Sequence, residues 1–176
     1  EGEQIKDTDE AKNYIADYFE NLYQAREART EYKDSTKVIL EQVEAIEKEE
    51  KEQTPSITIS ELNTAIRQLQ RGKSIGVDDI PNESMIESDV TTRGIYLRIF
   101  NNLIEQKATP EQWQMGIITR IYKGKGAKGK CSNERGITVS SNIGKLYEKL
   151  INNRALAQTE ISDAQAGGKK GRATTD

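Results

Sequence analysis

IITRIYKGKGAKGKCSNERGITVSSNIGKLYEKLINNR, residues 117–154, is the stretch that decides the fold of this chain. Ile117 to Tyr122 and Gly136 to Val139 have the β-branched character of short strands, and the Gly/Lys loop between them predicts a hairpin. Apolar residues then recur at three- and four-residue spacings from Ile143 to Ile151, which predicts an amphipathic helix. We therefore expect a β-hairpin followed by a helix.

This stretch is also strongly basic. It holds nine Lys or Arg residues and two acidic ones, in a chain whose net charge is −3. The net charge is −8 for residues 1–60, −2 for residues 61–106 and +7 for residues 107–176. Such asymmetry predicts that only the C-terminal part faces a polyanion, and we expect a phosphate in the basic stretch. A solvated charged surface is an equally open interpretation.

Composition excludes several classes of function. The chain has 176 residues, one cysteine and no histidine, so an intramolecular disulfide framework, a zinc site and any His-dependent triad are out of reach. No run approaches the roughly 18 apolar residues of a membrane span, and the N-terminus lacks the character of a signal peptide. We expect an intracellular protein without membrane partners.

Helical patterns dominate the remainder. An aromatic stripe over residues 9–25 predicts an amphipathic helix whose stripe packs in the core. A thinner apolar line around Val43 predicts a second helix, followed by the solvated linker EKEEKEQ. Thr58 and Glu61 form a capping box for a third helix, which Gly72 is expected to end.

Two further features complete this pattern. Ile95, Ile99, Leu103 and Ile104 mark a helix that is expected to end near Lys107, and Trp113 is interpreted as a core anchor. In the loop GKSIGVDDIPNES, residues 72–84, the pair Asp78 and Asp79 could bind magnesium. Aspartates in a turn flanked by Gly and Pro more often bond the backbone, and we favour that interpretation and predict no metal site.

The loop KGKGAKGK, residues 123–130, is not a Walker A motif, because the Gly-Lys-Ser/Thr element is absent. It offers flexible backbone and four ammonium groups, at Lys123, Lys125, Lys128 and Lys130. Arg135 adds a planar guanidinium that can hold two phosphate oxygens. By itself this pattern is weak, since Lys/Gly loops are common on surfaces.

The order of the motifs is more specific. GKSIGVDDIPNE (72–83) resembles G-K-S-P-G-P-D-G-I-P-N-E, and Trp113 followed by IITRIYKGKG resembles W-x-x-x-x-I-x-P-I-P-K-K-G. CSNERGITVSSNIGKLYEKLINNR (131–154) is similar to C-x-N-Y-R-P-I-S-L-x-S-x-I-G-K-L-F-E-K-I-L-x-N-R, and QAGGKKGRATTD (165–176) to Q-x-G-F-R-K-G-R-S-T-T-D. Over about residues 10–176 the chain thus resembles the N-terminal, fingers part of a non-LTR retrotransposon (LINE-type) reverse transcriptase, a family related to group II intron reverse transcriptases.

The resemblance implies roles for named positions. Basic residues of the two hairpin strands hold the triphosphate of the incoming dNTP in such polymerases, and Lys123 and Arg135 occupy those positions. The loop after the third helix and the N-terminal helices are implied to contact the template, and the segment GRATTD lies near the primer–template. The implied nucleic-acid contacts are Lys73, Ser74, Gly76 and Arg172. The charge of the loop adds Lys125, Lys128 and Lys130 as candidates, for which a mobile hairpin tip is the other interpretation.

This chain departs from the family pattern at several positions. Arg120 stands where the pattern has proline, and we assign it no role. The other departures from proline are Ile75, Val77, Tyr122 and Gly136, and Glu134 and Gly168 replace Tyr and Phe. The family's carboxylates for two Mg²⁺ ions do not occur in this sequence, so we expect a fragment without catalytic residues, cofactor or polymerase activity of its own.

These considerations lead to a mostly helical α+β fold, with an N-terminal helical extension over residues 1–56 and a fingers region over residues 57–176. Expected partners are the RNA template, the RNA/DNA primer–template, dNTP and the palm and thumb of the same polymerase, in the cytoplasm and nucleus. Mg²⁺ is expected in the intact polymerase. Two alternatives stay open: a stand-alone RNA-binding module, motivated by the basic C-terminal part, and a helical protein-interaction domain that forms a dimer.

Overall fold

The structure, a computed structural model, describes residues 8–24, 37–38, 40–42, 45 and 54–159. Within these residues the predicted class, mostly helical α+β with a two-stranded antiparallel sheet, is confirmed. The linker EKEEKEQ and the segment QAGGKKGRATTD lie outside the described residues. The elements are α1 (Thr8–Tyr23), α2 (Ile59–Arg67), α3 (Asn82–Ile86), α4 (Val90–Gln106), α5 (Glu111–Gln114), β1 (Gly116–Tyr122), β2 (Glu134–Ser140) and α6 (Asn142–Gln158).

The chain divides into two compact units. One comprises Glu1–Thr54 and Ile118–Ile137, so that it contains α1 and most of the hairpin. The other comprises Pro55–Ile117 and Thr138–Asp176, and it contains α2 to α6. The functional division expected at residue 56 stays a prediction.

Helix α2 begins at the predicted capping box. The Thr58 backbone N–H donates to Glu61 Oε2 over 2.7 Å, and the Glu61 N–H donates to Thr58 Oγ1 over 3.3 Å. The apolar residues of α2, which recur at helical spacing in the sequence, pack into the core of the second unit. The buried core comprises Ile57, Leu62, Ala65, Ile66, Met85, Phe100, Ile143, Leu146 and Leu150.

Trp113 is a core anchor, as predicted. Its ring centroid lies 6.3 Å from that of Phe100 and 5.8 Å from that of Tyr147, and these rings pack against the core. A Cβ atom on Gly144 would lie 3.1 Å from Trp113 Cγ, so the indole covers the first turn of α6. The glycine therefore permits a close approach of helix and ring.

The loop after α2 is fixed by the start of α6. The buried Asn142 side chain donates to the Ile80 carbonyl over 2.9 Å and to the Ser74 carbonyl over 3.3 Å. A Cβ atom on Gly76 would collide with the carbonyl of Ser140. The glycine is needed at this position because two backbone segments meet there.

A second long-range connection joins α6 to the start of α2. The guanidinium of Arg154 donates to Glu61 Oε1 over 2.6 Å and to the carbonyls of Pro55 and Ser56. The hydrogen bond from Arg154 lowers the pKa of Glu61 to about 2. Glu61 thus serves both the helix cap and this ion pair.

Two sequence predictions about helices need correction, the end of α2 and the burial of the α1 stripe. Helix α2 ends at Arg67, and its C-cap is Gln68, whose N–H donates to the Ala65 carbonyl. Gly72, which was expected to end the helix, lies in the loop that follows and has φ 67°. The predicted helix α4 is confirmed, since it ends at Gln106 with Lys107 as its C-cap. Its buried residue is Phe100, whereas Ile95 and Ile99 are exposed.

The predicted core packing of the α1 stripe is correct for one residue and wrong for others. Phe19 is 3% exposed, whereas Tyr14, Leu22 and Tyr23 are about half exposed. The ring of Phe19 lies against Gly136 of the hairpin, whereas Tyr23 approaches the same residue with its hydroxyl and remains half exposed. No helix in residues 8–24 or 54–159 combines the length and the apolar character required to cross a membrane.

We predict that Gly76→Ala lowers the free energy of unfolding by about 1–3 kcal/mol, because the methyl group must displace backbone. Gly94→Ala is the matched control, since a Cβ atom there meets nothing within 4 Å. Alanine should stabilise that helical position by about 0.5–1 kcal/mol. Urea titration of both variants measures the difference, and equal effects would contradict the close approach at Gly76.

We also predict that Glu61 makes stability depend on pH. Its pKa in the folded chain, about 2, lies below the ordinary 4.5, so its contribution is present above pH 4.5 and is lost as pH falls towards 2. With the Glu61 side chain 35% exposed, we discount the contribution for solvent screening to about 1–2 kcal/mol.

The variant Glu61→Gln keeps a capping side chain but removes the charge. Urea titrations at several pH values should show it less stable than the parent near neutrality and equally stable near pH 2. A stability difference that does not change with pH would contradict the assignment.

Candidate functional site

The hairpin of the first unit has a defined register. Strands β1 and β2 form a two-stranded sheet, and the Lys123 N–H donates to the Asn133 carbonyl over 2.9 Å. In an antiparallel pair this bond sets residue 121 opposite Arg135. Because alternate residues share a face, Lys123 and Arg135 lie on the same face of the hairpin.

The opposite face carries a cross-strand ion pair. Arg120 Nη1 lies 2.8 Å from Glu134 Oε2, with the two side chains 36% and 12% exposed. Both residues are departures from the family pattern, where proline and tyrosine are usual. The two residues that replace proline and tyrosine of the pattern therefore form an ion pair with each other.

Gly136 is a third departure, and α1 explains it. A Cβ atom at Gly136 would lie 2.7 Å from Phe19 Cε1 and 2.8 Å from the Tyr23 hydroxyl. The Tyr23 hydroxyl also donates to the Gly136 carbonyl over 3.5 Å. A larger residue, including the proline of the pattern, does not fit here unless the aromatic side chains move.

Lys123 and Arg135 carry charge that is not neutralised. Lys123 Nζ donates to the Ser132 carbonyl over 2.8 Å, which holds the ammonium but leaves it two further N–H groups. Arg135 is exposed. Within residues 8–24 and 54–159 no carboxylate forms an ion pair with either side chain. This face can therefore attract an anion.

Side chains at both ends of the loop hold it in place. The Tyr122 hydroxyl donates to the Gly126 carbonyl, and Asn133 Nδ2 donates to the Ala127 carbonyl over 2.9 Å. Gly126 adopts φ 83°, in the left-handed region that favours glycine. The turn that carries the lysines is thus built by specific contacts.

The three remaining loop lysines differ in their surroundings. Lys128 Nζ lies 5.8 Å from the centroid of the Tyr122 ring, a cation–π contact. Lys125 and Lys130 are exposed and pair with no carboxylate of the described chain. Their role in nucleic-acid binding stays a prediction.

The other predicted contact residues belong to the second unit or lie beyond the described chain. Lys73 and Ser74 are exposed, whereas Gly76 is buried against the backbone of Ser140. Arg172 lies outside the described residues. The environment of Gly76 gives it a structural reason that sequence patterns did not reveal.

The Asp78 carboxylate is occupied by hydrogen bonds. Its Oδ1 accepts from the Ile80 N–H over 3.3 Å, as predicted for such a turn, and its Oδ2 accepts from the Ser141 hydroxyl over 2.6 Å. Among the described residues no three His, Cys, Asp or Glu side chains group to hold a metal ion. The predicted bond from the backbone to the side chain is thus present at Asp78.

Sequence reasoning missed Arg120, to which it gave no role. Part of the signal was present, because Arg120 and Glu134 carry opposite charges and both replace residues of the pattern. The second strand was predicted to begin at Gly136, whereas β2 begins at Glu134, so the pairing was not visible in the sequence. Cross-strand charge pairs of this kind stabilise sheets.

We predict a coupling energy of about 0.5–1 kcal/mol between Arg120 and Glu134, since this pair is partly buried. A double-mutant cycle with alanine, followed by urea titration, measures it. The control is the more exposed pair Arg71–Glu87, with side chains 58% and 66% exposed, whose coupling should be smaller. A value of zero for Arg120 and Glu134 would show that their contact does not stabilise the hairpin.

No protein-family model matches the sequence. The chain is 27% identical over 181 aligned residues to the "Probable RNA-directed DNA polymerase from transposon BS" of Drosophila melanogaster. The alignment covers 99% of this chain and 19% of that protein, so the chain spans about a fifth of the length of its curated relative. This distant similarity along the whole chain supports a relationship to retrotransposon reverse transcriptases.

Proposed function

We propose that this chain is the fingers region of a LINE-type retrotransposon reverse transcriptase, in which Lys123 and Arg135 bind the triphosphate of the incoming dNTP. The observation that carries the proposal is their position on one face of the hairpin, without carboxylate partners among the described residues. The similarity to a transposon polymerase supplies the context.

The chemistry of the two side chains suits this role. Arg135 presents a planar fork that can bind two phosphate oxygens, and Lys123 presents a compact positive charge. Lys123 is oriented by its bond to the Ser132 carbonyl, which reduces the entropy lost when phosphate binds. Arg120 lies on the other face with its charge paired, so it is not part of the proposed site.

The template strand is proposed to contact the loop after α2. Lys73 and Ser74 are exposed there, and the loop is held by Asn142 rather than by secondary structure of its own. Gly76, being buried, contributes by allowing the loop to approach β2. Contact through Lys73 and Ser74 rests on this exposed, fixed position.

The remaining partners follow from the same proposal. They are an RNA template, an RNA/DNA primer–template, and the palm and thumb of the polymerase, in the cytoplasm and nucleus. Metal chemistry is proposed to belong to carboxylates of the intact polymerase, which is expected to bind Mg²⁺. This chain is proposed to bind and orient substrates without catalysing the reaction.

We predict that Lys123→Ala and Arg135→Ala, introduced into a polymerase that contains this segment, each weaken the apparent affinity for dNTP about 10- to 100-fold. That factor corresponds to one charge-assisted hydrogen bond of about 1.5–3 kcal/mol. Steady-state primer extension with dNTP titration measures the effect.

Arg120→Ala is the matched control, because it removes a charge from the same strand but from the opposite face. The dNTP affinity of this variant should remain within about twofold of the parent value. That change is much smaller than the one expected from losing a charge-assisted hydrogen bond. Unchanged affinity in Lys123→Ala and Arg135→Ala, or equal losses in all three variants, would refute the proposed site.

A further inference from the structure

A cleft in the second unit is lined by three arginines. It has a volume of about 300 Å³, with Arg67, Arg71 and Arg93 around it and apolar carbon atoms of Ile66, Leu69 and Ile86 in its wall. We call this feature the arginine cleft. None of its arginines belongs to the contacts proposed above.

Arg93 is the most constrained of the three. Its guanidinium donates to Ser88 Oγ over 3.2 Å, to Asn63 Oδ1 over 2.9 Å and to the Ile86 carbonyl over 3.2 Å. All three acceptors are neutral, and the side chain is half-buried. In the described part of the chain no carboxylate pairs with it. A fixed, partly desolvated charge without a counter-ion favours binding of an anion.

The other two arginines leave the lining with a positive charge. Arg67 is exposed and donates to the neutral Thr64 Oγ1 over 3.0 Å, whereas Arg71 forms an ion pair with Glu87. The nearby Glu83 carboxylate is occupied by the Gly72 N–H at 2.6 Å. Glu83 keeps its charge and attracts Arg71 together with Glu87, and neither acid forms an ion pair with Arg67 or Arg93.

The cleft selects the type of anion. Planar guanidinium groups match the oxygen pairs of phosphate, and a volume of about 300 Å³ is at the small end of ligand sites. No aromatic ring lines the cleft, so it offers no stacking surface for a base. The apolar wall suits the carbon atoms of a sugar. A backbone phosphate with its sugar satisfies all these features.

We propose that the arginine cleft binds a backbone phosphate of single-stranded RNA. The choice of RNA rests on the proposed function, and the choice of phosphate rests on the cleft itself. Arg67 of α2 and Arg93 of α4 would thus contact RNA at a surface separate from the loop lysines.

The test is binding of a labelled oligouridylate of about 12 nucleotides to the whole 176-residue chain, measured by fluorescence anisotropy at several salt concentrations. Arg67→Gln should raise the Kd about 3- to 10-fold and reduce the slope of log K against log salt by about 1, the loss of one phosphate contact. Arg71→Gln should raise the Kd less than Arg67→Gln does, because the charge of Arg71 is already paired with Glu87.

Arg98→Gln is the matched control, since Arg98 is exposed on α4 but does not line the cleft. Equal weakening by Arg67→Gln and Arg98→Gln would overturn the proposal, as would a parent chain that binds no RNA at low salt. An oligoglutamate of equal length is the second probe. Its binding as tightly as RNA, with the same sensitivity to Arg67→Gln, would identify an acidic peptide site instead.

This outcome is separable from that of the proposed function. Lys123→Ala and Arg135→Ala are measured by dNTP affinity in a polymerase, whereas Arg67→Gln is measured by RNA affinity of this chain. Loss of dNTP affinity in the former with no RNA effect in the latter would refute the arginine cleft alone.

Discussion

The second unit depends on the hydrogen bonds of two buried polar side chains at the start of α6. Ser141 accepts the Gly144 N–H, which caps the helix, and donates to Asp78, while Asn142 donates to two carbonyls of the loop after α2. A buried polar group without a partner costs about 1–3 kcal/mol, so helix and loop must form together. The exposed Lys73 is thereby positioned by a helix distant from it in sequence.

The hairpin achieves its geometry by a different route from the family pattern. Prolines restrict a backbone covalently by fixing φ, and this chain replaces several of them. In their place Arg120 pairs with Glu134, Tyr122 bonds the loop, and Gly136 admits Phe19. These are contacts between side chains, or between a helix and a strand, so their effect depends on the rest of the unit being folded. A residue that departs from a motif can therefore be explained once the side chain that it contacts is known.

Local rules predicted the existence of elements better than their orientation. The capping box of Thr58 and Glu61 was correct because all of its bonds lie within four residues. The α1 stripe was predicted to pack in the core, yet Tyr14 and Leu22 are about half exposed and Phe19 is buried, because only the neighbouring elements decide which apolar residue is covered. The candidate site shows the same difference. The order of the motifs indicated Lys123 and Arg135, whereas the ion pair on the opposite face of the hairpin could be found only from the strand register.

The basic residues of the stretch 117–154 differ in whether a carboxylate neutralises them. Counting charges treats its lysines and arginines as equivalent, yet Arg154 is paired with Glu61 and Arg120 with Glu134. Exposed, paired charges contribute little to binding an external anion, because the partner carboxylate already satisfies them. Arg135 has no such partner in the described chain, and neither has the half-buried Arg93 outside the stretch. What distinguishes the residues proposed to bind anions from Arg120 and Arg154 is the absence of a paired carboxylate in the described chain, which net charge does not report.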